Sequence, residues 1–403
     1  MEADIYRIIV NLALLLFAAK LGGEAATRLR LPSVLGEIVA GIILGPSVLG
    51  LVKPSFSIQT VATIGILLLL FLAGLDIDLE MMRKTGGASL SAALMGVAVP
   101  MGIGTLAFKL MGESMRSAFF IGAILTATSI GLTLRTLLDL EKFRTREGTT
   151  IVTAAVIDDV IGIFILTILV SVVTAGEFPR PLYILELIGL IALFFVVVLV
   201  VGFRISKILA RLASRMYVEE ALLALAICFA IALGWLAANV KVAEITGAFL
   251  AGLVLNPTLE SKAISEKVNV IGYGFFIPIF FAYIGVSTRL GAITQAGVMS
   301  IAFILIAIFG KILGCGAGAR PWFDNRKSIA IGVGMIPRAE VALIMATIGL
   351  EAGAIDDRIF VMTILLVFVT NLLTPILLKL AFRWADEKGA KALEGMRDVI
   401  GDG

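Results

Sequence analysis

The sequence has 403 residues, of which 60% are hydrophobic and 16% are charged, and its formal net charge is +3. Soluble domains are about half apolar and about a quarter charged, so this composition indicates a membrane protein, and the small net charge gives no reason to expect a nucleic-acid partner. The sequence contains no histidine, which excludes histidine-ligated metal sites, serine–histidine or cysteine–histidine catalysis and an imidazole pH sensor.

The hydropathy pattern predicts thirteen transmembrane spans, because a helix needs about 20 mostly apolar residues to cross a bilayer. The spans lie near residues 5–25, 33–51, 58–78, 86–110, 116–138, 148–175, 181–205, 218–237, 240–257, 267–288, 294–318, 327–350 and 358–384. After the seventh span, the basic amphipathic segment RISKILARLASRMYVEE predicts a position at the membrane interface. The loops richer in lysine and arginine predict a cell-membrane protein with its N-terminus outside and its C-terminus cytoplasmic.

An internal repeat relates the two halves of the chain. Three pairs of segments match at one offset of 211 positions: IVAGIILGP (38–46) with FLAGLVLNP (249–257), LAGLDIDL (72–79) with YIGVSTRL (283–290), and LTATSIGL (125–132) with IPRAEVAL (336–343). The offset carries the second span onto the ninth, and an odd shift reverses the direction of crossing. The pattern therefore predicts two six-helix repeats of inverted topology, which is an architecture of secondary transporters. The alternative is a general similarity among apolar helices that contain small residues.

Polar residues interrupt two spans that occupy equivalent positions in the repeats. The fifth span contains LTATSIG, with Thr126, Thr128 and Ser129, and the twelfth contains GMIPRAEVA, where a proline precedes Arg338 and Glu340. Proline removes a backbone donor, so we expect broken helices that cross at mid-membrane and offer carbonyl oxygens to a small cation. Two alternatives stay open. The hydroxyl groups can bond back to their own helix, and the Arg338–Glu340 pair can neutralise the crossing, a role that we favour over direct substrate contact.

Two adjacent carboxylates, Asp158 and Asp159, lie in the middle of the sixth span, in VIDDV. Carboxylates at this depth are costly and mark an ion or proton path. Neighbouring helical residues point about 100° apart, so the two cannot form the shared-proton dyad of an aspartyl protease. Lys311 lies alone in the eleventh span. A lysine there must be neutral or paired, and we expect it to pair with one of the two aspartates.

These motifs resemble those of the bacterial and archaeal sodium/proton antiporters, NapA-type in particular, in the second branch of the monovalent cation:proton antiporter superfamily. The resemblance rests on VIDDV with the lone lysine, on TATS and on PRAEVALI, and it covers nearly the whole chain. Potassium-efflux relatives typically carry a glutamine–aspartate pair at positions 158–159, from which this sequence departs.

The resemblance implies a role for the charged residues inside the membrane. Asp159 would be the principal carrier of Na⁺ and protons. Asp158 would also take part in Na⁺ binding and would hold Lys311 in a salt bridge that breaks when the cation binds. Arg338 and Glu340 would compensate the charge of the helix ends at the crossing.

The same resemblance implies a role for the residues that carry hydroxyl groups. Thr126, Thr128 and Ser129, with the backbone of the fifth span, would lie next to the ion. The implied function is electrogenic exchange of Na⁺ or Li⁺ for H⁺, with no resident cofactor.

The resemblance also divides the chain into a scaffold that forms a homodimer in the bilayer and a mobile core that gives alternating access. The expected segments are scaffold at 1–80, core at 86–175, a linker helix at 181–205, scaffold at 213–290, core at 294–385 and a cytoplasmic tail at 386–403.

Three other functions remain in competition. A K⁺/H⁺ antiporter or potassium-efflux protein would differ only in its ion. A sodium-coupled organic-anion symporter would need a larger polar cavity, and the sequence shows no cluster of asparagine, glutamine or arginine to line one. A membrane enzyme would need a nucleophile and a base, for which the sequence offers no plausible pair, so we expect that the protein is not an enzyme.

Overall fold

A computed structural model describes the backbone of residues 2–174, 181–288, 297–338 and 340–401. It describes the side chains of residues 5–169, 181–288, 299–338 and 341–386, apart from positions 207, 210, 213 and 214. Every regular element within these residues is a helix, as the all-α prediction requires.

The helices of the first half are α1 (Glu2–Arg28), α2 (Ser33–Leu44), α3 (Phe56–Asp76), α4 (Leu79–Leu110), α5 (Met115–Ile124), α6 (Ile130–Asp139), α7 (Arg146–Thr174) and α8 (Pro181–Arg215). The second half contains α9 (Ala221–Asn239), α10 (Glu244–Leu255), α11 (Ser261–Ile271), a π-helical turn (Gly272–Phe276), α12 (Ile277–Val286), α13 (Gly297–Ala319), α14 (Asn325–Gly334), α15 (Glu340–Glu351) and α16 (Asp357–Gly401). Helix α8 runs without a break from the seventh predicted span into the basic segment after it, as far as Arg215.

Nine helical segments in the described part of the chain are long and apolar enough to cross a membrane. Shorter apolar helices accompany them, including α2, α5 and α10. The protein is therefore a multi-pass membrane protein, while the count of thirteen spans stays a prediction. The fifth and twelfth predicted spans are both broken in the middle, into α5 and α6 and into α14 and α15. This confirms the interruptions predicted from TATS and PRAE.

The contacts divide the chain into two compact units, and the first consists of Met1–Arg83 and Asp159–Gln295. Within this unit α2 packs against α12, and α3 packs against α10. Glycines allow both contacts, because a Cβ atom at Gly41 or Gly285 would overlap the backbone across the α2–α12 contact, and one at Gly74 or Gly252 would do so between α3 and α10. The offset of 211 carries Gly41 onto Gly252 and Gly74 onto Gly285. The two helix pairs are therefore equivalent, as the inverted repeat predicts.

The second unit consists of Lys84–Asp158 and Ala296–Gly403. Its helices α4 and α13 lie close together, because Gly310 and Gly314 of α13 leave room for the α4 backbone near Pro100 and Met95. Helix α16 packs against α13, α14 and α15. The division between the units runs through α7, between Asp158 and Asp159. The roles of scaffold and mobile core stay predictions.

Candidate functional site

The two broken helices meet at their interruptions. The backbone N–H of Ser129, which precedes α6, donates to the carbonyl of Pro337 at 2.8 Å. The hydroxyl of Thr133, in the first turn of α6, donates to the carbonyl of Gly334 at 2.6 Å. Both bonds join an interrupted segment of one repeat to that of the other. Backbone groups that the breaks leave without helical partners thus find partners across the crossing.

Arg338 lies at the centre of this crossing and is fully buried. Its guanidinium donates to the Leu125 carbonyl at 2.8 Å and to the Met335 carbonyl at 3.3 Å. Leu125 and Met335 are the C-terminal caps of α5 and α14. A helix C-terminus carries partial negative charge, so one cation sits against two negative helix ends. Arg338 also donates to the Thr128 hydroxyl at 3.4 Å.

A buried ion pair lies in the same unit. Lys311 Nζ of α13 donates to Asp158 Oδ1 of α7 at 2.9 Å, and the two side chains are 0% and 2% exposed. A lysine at this depth needs such a partner, since an isolated buried charge is strongly unfavourable. Of the two aspartates that the sequence offered, the structure brings Asp158 to the lysine.

Asp159 follows on α7, at the point where the division between the units falls. It is more exposed than Asp158 and is only half-buried. The two neighbouring carboxylates therefore lie in different surroundings. This agrees with the argument that adjacent helical residues cannot share a proton.

The two threonine hydroxyls of the TATS segment donate to backbone carbonyls. Thr126 donates to the Ala123 carbonyl at 2.7 Å, which is the bond back to its own helix that the sequence left open. Thr128 donates across the crossing to the Met335 carbonyl at 3.4 Å. The side chain of Glu340 lies outside the described residues. Roles of these residues toward an ion stay predictions.

Sequence reasoning missed one wall of the lysine site, which is formed by α4. A Cβ atom built on Gly96 would overlap the Cys315 sulfur and would lie 3.6 Å from Lys311 Nζ. A glycine in an apolar helix carries no chemical signal of its own. Pro100, four residues later, was a signal that the sequence contained. The offset of 211 makes it the equivalent of Lys311 in the first repeat.

Interrupted helices that meet at their breaks, with a buried aspartate–lysine pair in the same unit, are features of the class of secondary transporters. The chain belongs to the family described as the transmembrane sodium/hydrogen exchangers, whose pattern matches residues 13–384.

Two relatives of known name match along almost their whole length. The chain is 35% identical over 390 residues to the Na⁺/H⁺–K⁺ antiporter GerN of Bacillus cereus, with 96% of this chain and 99% of GerN covered. It is 33% identical to the high-affinity Na⁺/H⁺ antiporter NhaS3 of a Synechocystis species, covering 95% and 91% of the two chains. The fold resembles that of the sodium proton antiporter MjNhaP1 of Methanocaldococcus jannaschii, with a TM-score of 0.74, 19% identity, and coverage of 96% and 98%.

Proposed function

We propose that the protein is a secondary transporter that exchanges Na⁺ or Li⁺ for H⁺ across the cell membrane. The observation that carries this proposal is the buried Lys311–Asp158 pair, whose aspartate lies on the helix that also bears Asp159. The family and the names of the relatives support Na⁺ and H⁺ as the exchanged ions.

Exchange follows from competition at one carboxylate. A carboxylate that holds a proton cannot coordinate Na⁺ at the same time, so binding of one ion releases the other. In our proposal Asp159 is that carboxylate. Asp158 separates from Lys311 and then binds the cation together with Asp159. Thr126, Thr128 and Ser129 supply neighbouring oxygen atoms.

The charge carried in each cycle depends on Lys311. If the lysine also loses its proton when the cation takes Asp158, two protons exchange for one Na⁺ and the cycle moves net charge. The membrane potential then drives transport, at about 2.3 kcal/mol per charge per 100 mV. A site with both carboxylates bare is too costly to carry through the apolar core, and this prevents uncoupled leakage.

Around this site we propose alternating access by a mobile core, a homodimer formed through the scaffold, an outside N-terminus and a cytoplasmic C-terminus. Arg338 and Glu340 compensate the helix ends at the crossing. The protein needs no resident cofactor and is not an enzyme.

K⁺/H⁺ exchange is the second candidate. It is favoured by the 35% identity to GerN, whose name includes K⁺ beside Na⁺. A carbonyl-rich crossing can accept either ion, and the choice depends on the size and number of oxygen ligands.

The test is proton movement in proteoliposomes that contain a trapped pH dye. Na⁺, Li⁺ and K⁺ are added in turn, with the potential clamped by a permeant anion or left free. We compare the wild type with Asp159→Asn and with Asp357→Asn, a control at an exposed residue at the start of α16.

We expect Na⁺ or Li⁺ to move protons, faster with the clamp, in the wild type and in the control but not in Asp159→Asn. A response to K⁺ alone would establish the second candidate. If no cation moved protons, the proposal of cation/proton exchange would be wrong.

A further inference from the structure

The ammonium group of Lys311 lies against bare backbone on the side of α4. The Cβ position of Gly96 is 3.6 Å from Lys311 Nζ and 3.7 Å from the Cβ atom of Cys315, and it overlaps the Cys315 sulfur. Cys315 lies one helical turn after Lys311 on α13 and is fully buried. No side chain fits at position 96 while both neighbours keep their places.

The carbonyl of Gly96 also lacks its regular helical donor. Within an α-helix this carbonyl would accept from the N–H of residue 100, and Pro100 has none. The Pro100 ring packs against Gly310, the residue before Lys311, with its Cβ atom 3.2 Å from the Gly310 Cβ position. The proline therefore frees a carbonyl on the turn of α4 that borders the lysine.

Lys311 needs a second acceptor if the proposed exchange operates. Its hydrogen bond in the structure goes to Asp158, and its side chain is 0% exposed. When the cation takes Asp158, the ammonium loses its partner before it can release its proton, and an unpaired charge in a dry site is strongly unfavourable. On the α4 side, the Cβ position of Gly96 lies 3.6 Å from Lys311 Nζ, and the freed carbonyl of this residue can accept a hydrogen bond from the ammonium.

We propose that Gly96 is a positioning residue for Lys311. Its missing side chain lets the ammonium lie beside Asp158, and its carbonyl, freed by Pro100, accepts the ammonium when Asp158 turns to the cation. This inference rests on the proposed function and adds to it a resting place for Lys311 during cation binding.

The first test separates packing from positioning at position 96. Gly96→Ala forces Cys315 aside, whereas Gly96→Ala/Cys315→Ala removes the overlapping sulfur and leaves the two methyl groups in ordinary contact. In both variants the new methyl group covers the backbone that faces Lys311. Cys315→Ala alone is the matched control.

We expect the double variant to recover the melting temperature that Gly96→Ala loses. The KM for Na⁺ should stay about tenfold above that of Cys315→Ala in both, because a hydrogen bond to a charged group is lost. If the double variant recovered both quantities, Gly96 would serve packing only and the inference would be wrong.

The second test supplies the missing donor. Pro100→Ala gives the Gly96 carbonyl an intrahelical partner, so it competes with the ammonium. Pro375→Ala, in α16 of the same unit, is the control for replacing a proline within a membrane helix. We expect the KM for Na⁺ to rise about tenfold in Pro100→Ala while kcat changes less, and to stay near the wild-type value in Pro375→Ala.

An unchanged KM in Pro100→Ala would overturn the role of the carbonyl. The proposed function and the inference about Gly96 fail in different ways. Wild-type proteoliposomes that exchange no cation would contradict the proposed function itself. Wild-type exchange combined with unaffected Gly96 and Pro100 variants would contradict this inference alone.

Discussion

Lys311 and Asp158, 153 positions apart in the sequence, form an ion pair of 2.9 Å in which neither side chain is more than 2% exposed. Burial of two charges costs about as much free energy as their attraction returns, so such a pair adds little to stability. Its value lies in what happens when it opens. A cation that takes Asp158 must displace the lysine, which couples cation binding to the state of a second ionisable group.

Lys311→Ala tests this coupling. We expect the variant to exchange Na⁺ for H⁺ still, because Asp159 is intact, but with fewer protons for each Na⁺ and hence a weaker dependence on membrane potential. The reversal potential measured in proteoliposomes at fixed ion gradients reports the stoichiometry directly. If the reversal potential were unchanged, the salt bridge would have no role in the charge that each cycle moves.

The same variant leaves Asp158 buried without its partner, and that has a separate cost. Breaking a buried pair from one side destabilises a protein by about 3–5 kcal/mol, whereas replacing both partners by apolar or neutral groups is often nearly neutral. We therefore expect Lys311→Ala to melt at a lower temperature than Lys311→Met/Asp158→Asn. Equal melting temperatures would contradict this cost of leaving Asp158 without its partner.

Arg338 provides the second prediction, which concerns the helix crossing. Arg338→Met would leave the carbonyls of Leu125 and Met335 without this donor, at about 1–3 kcal/mol for each buried group. Arg338→Lys should recover little, because a single ammonium cannot reproduce the planar fork that reaches both helix ends. Thermal unfolding in detergent measures both variants.

Arg358→Met is the control for the loss of an arginine. Arg358 pairs with Glu113 at 2.6 Å, but its side chain is 47% exposed, and exposed pairs contribute about 0–1 kcal/mol. If Arg338→Met melted no lower than Arg358→Met, the crossing would not depend on the buried guanidinium.

The sequence predicted the crossing because its markers are local. A proline beside charged residues in one repeat and a run of hydroxyls in the other are unusual in apolar spans, and the offset of 211 paired them. It predicted that Lys311 has a carboxylate partner because so few charges lie at that depth. Reasoning from the residues alone could not choose between Asp158 and Asp159, since the choice depends on how α7 is rotated against α13, whereas the family resemblance assigned Asp158. The position of Gly96 beside Lys311 could not be predicted from the sequence, because a glycine in an apolar helix matters only through its tertiary neighbours.

The third prediction concerns the hydroxyl bond between the two repeats. Thr133→Val keeps the shape of the side chain but removes the 2.6 Å bond to the Gly334 carbonyl. We expect a loss of about 1–2 kcal/mol in the free energy of unfolding, because a buried carbonyl loses its donor. Thr60→Val is the matched control, since the Thr60 hydroxyl is exposed and bonds only within its own helix, to Phe56 at 2.9 Å. Equal effects in the two variants would show that the bond across the crossing adds nothing.

The last prediction tests the close helix contact that the repeat duplicates. A Cβ atom at Gly252 would overlap the Phe71 carbonyl of α3, so Gly252→Ala must push α10 away from α3. We expect a loss of about 1–3 kcal/mol, the usual cost of overpacking. Gly189→Ala in α8 is the control, because nothing lies within 4 Å of the added methyl group, and alanine favours a helix over glycine by about 1 kcal/mol. The two substitutions should therefore shift the melting temperature in opposite directions, and a shift of the same sign would contradict the close α3–α10 approach.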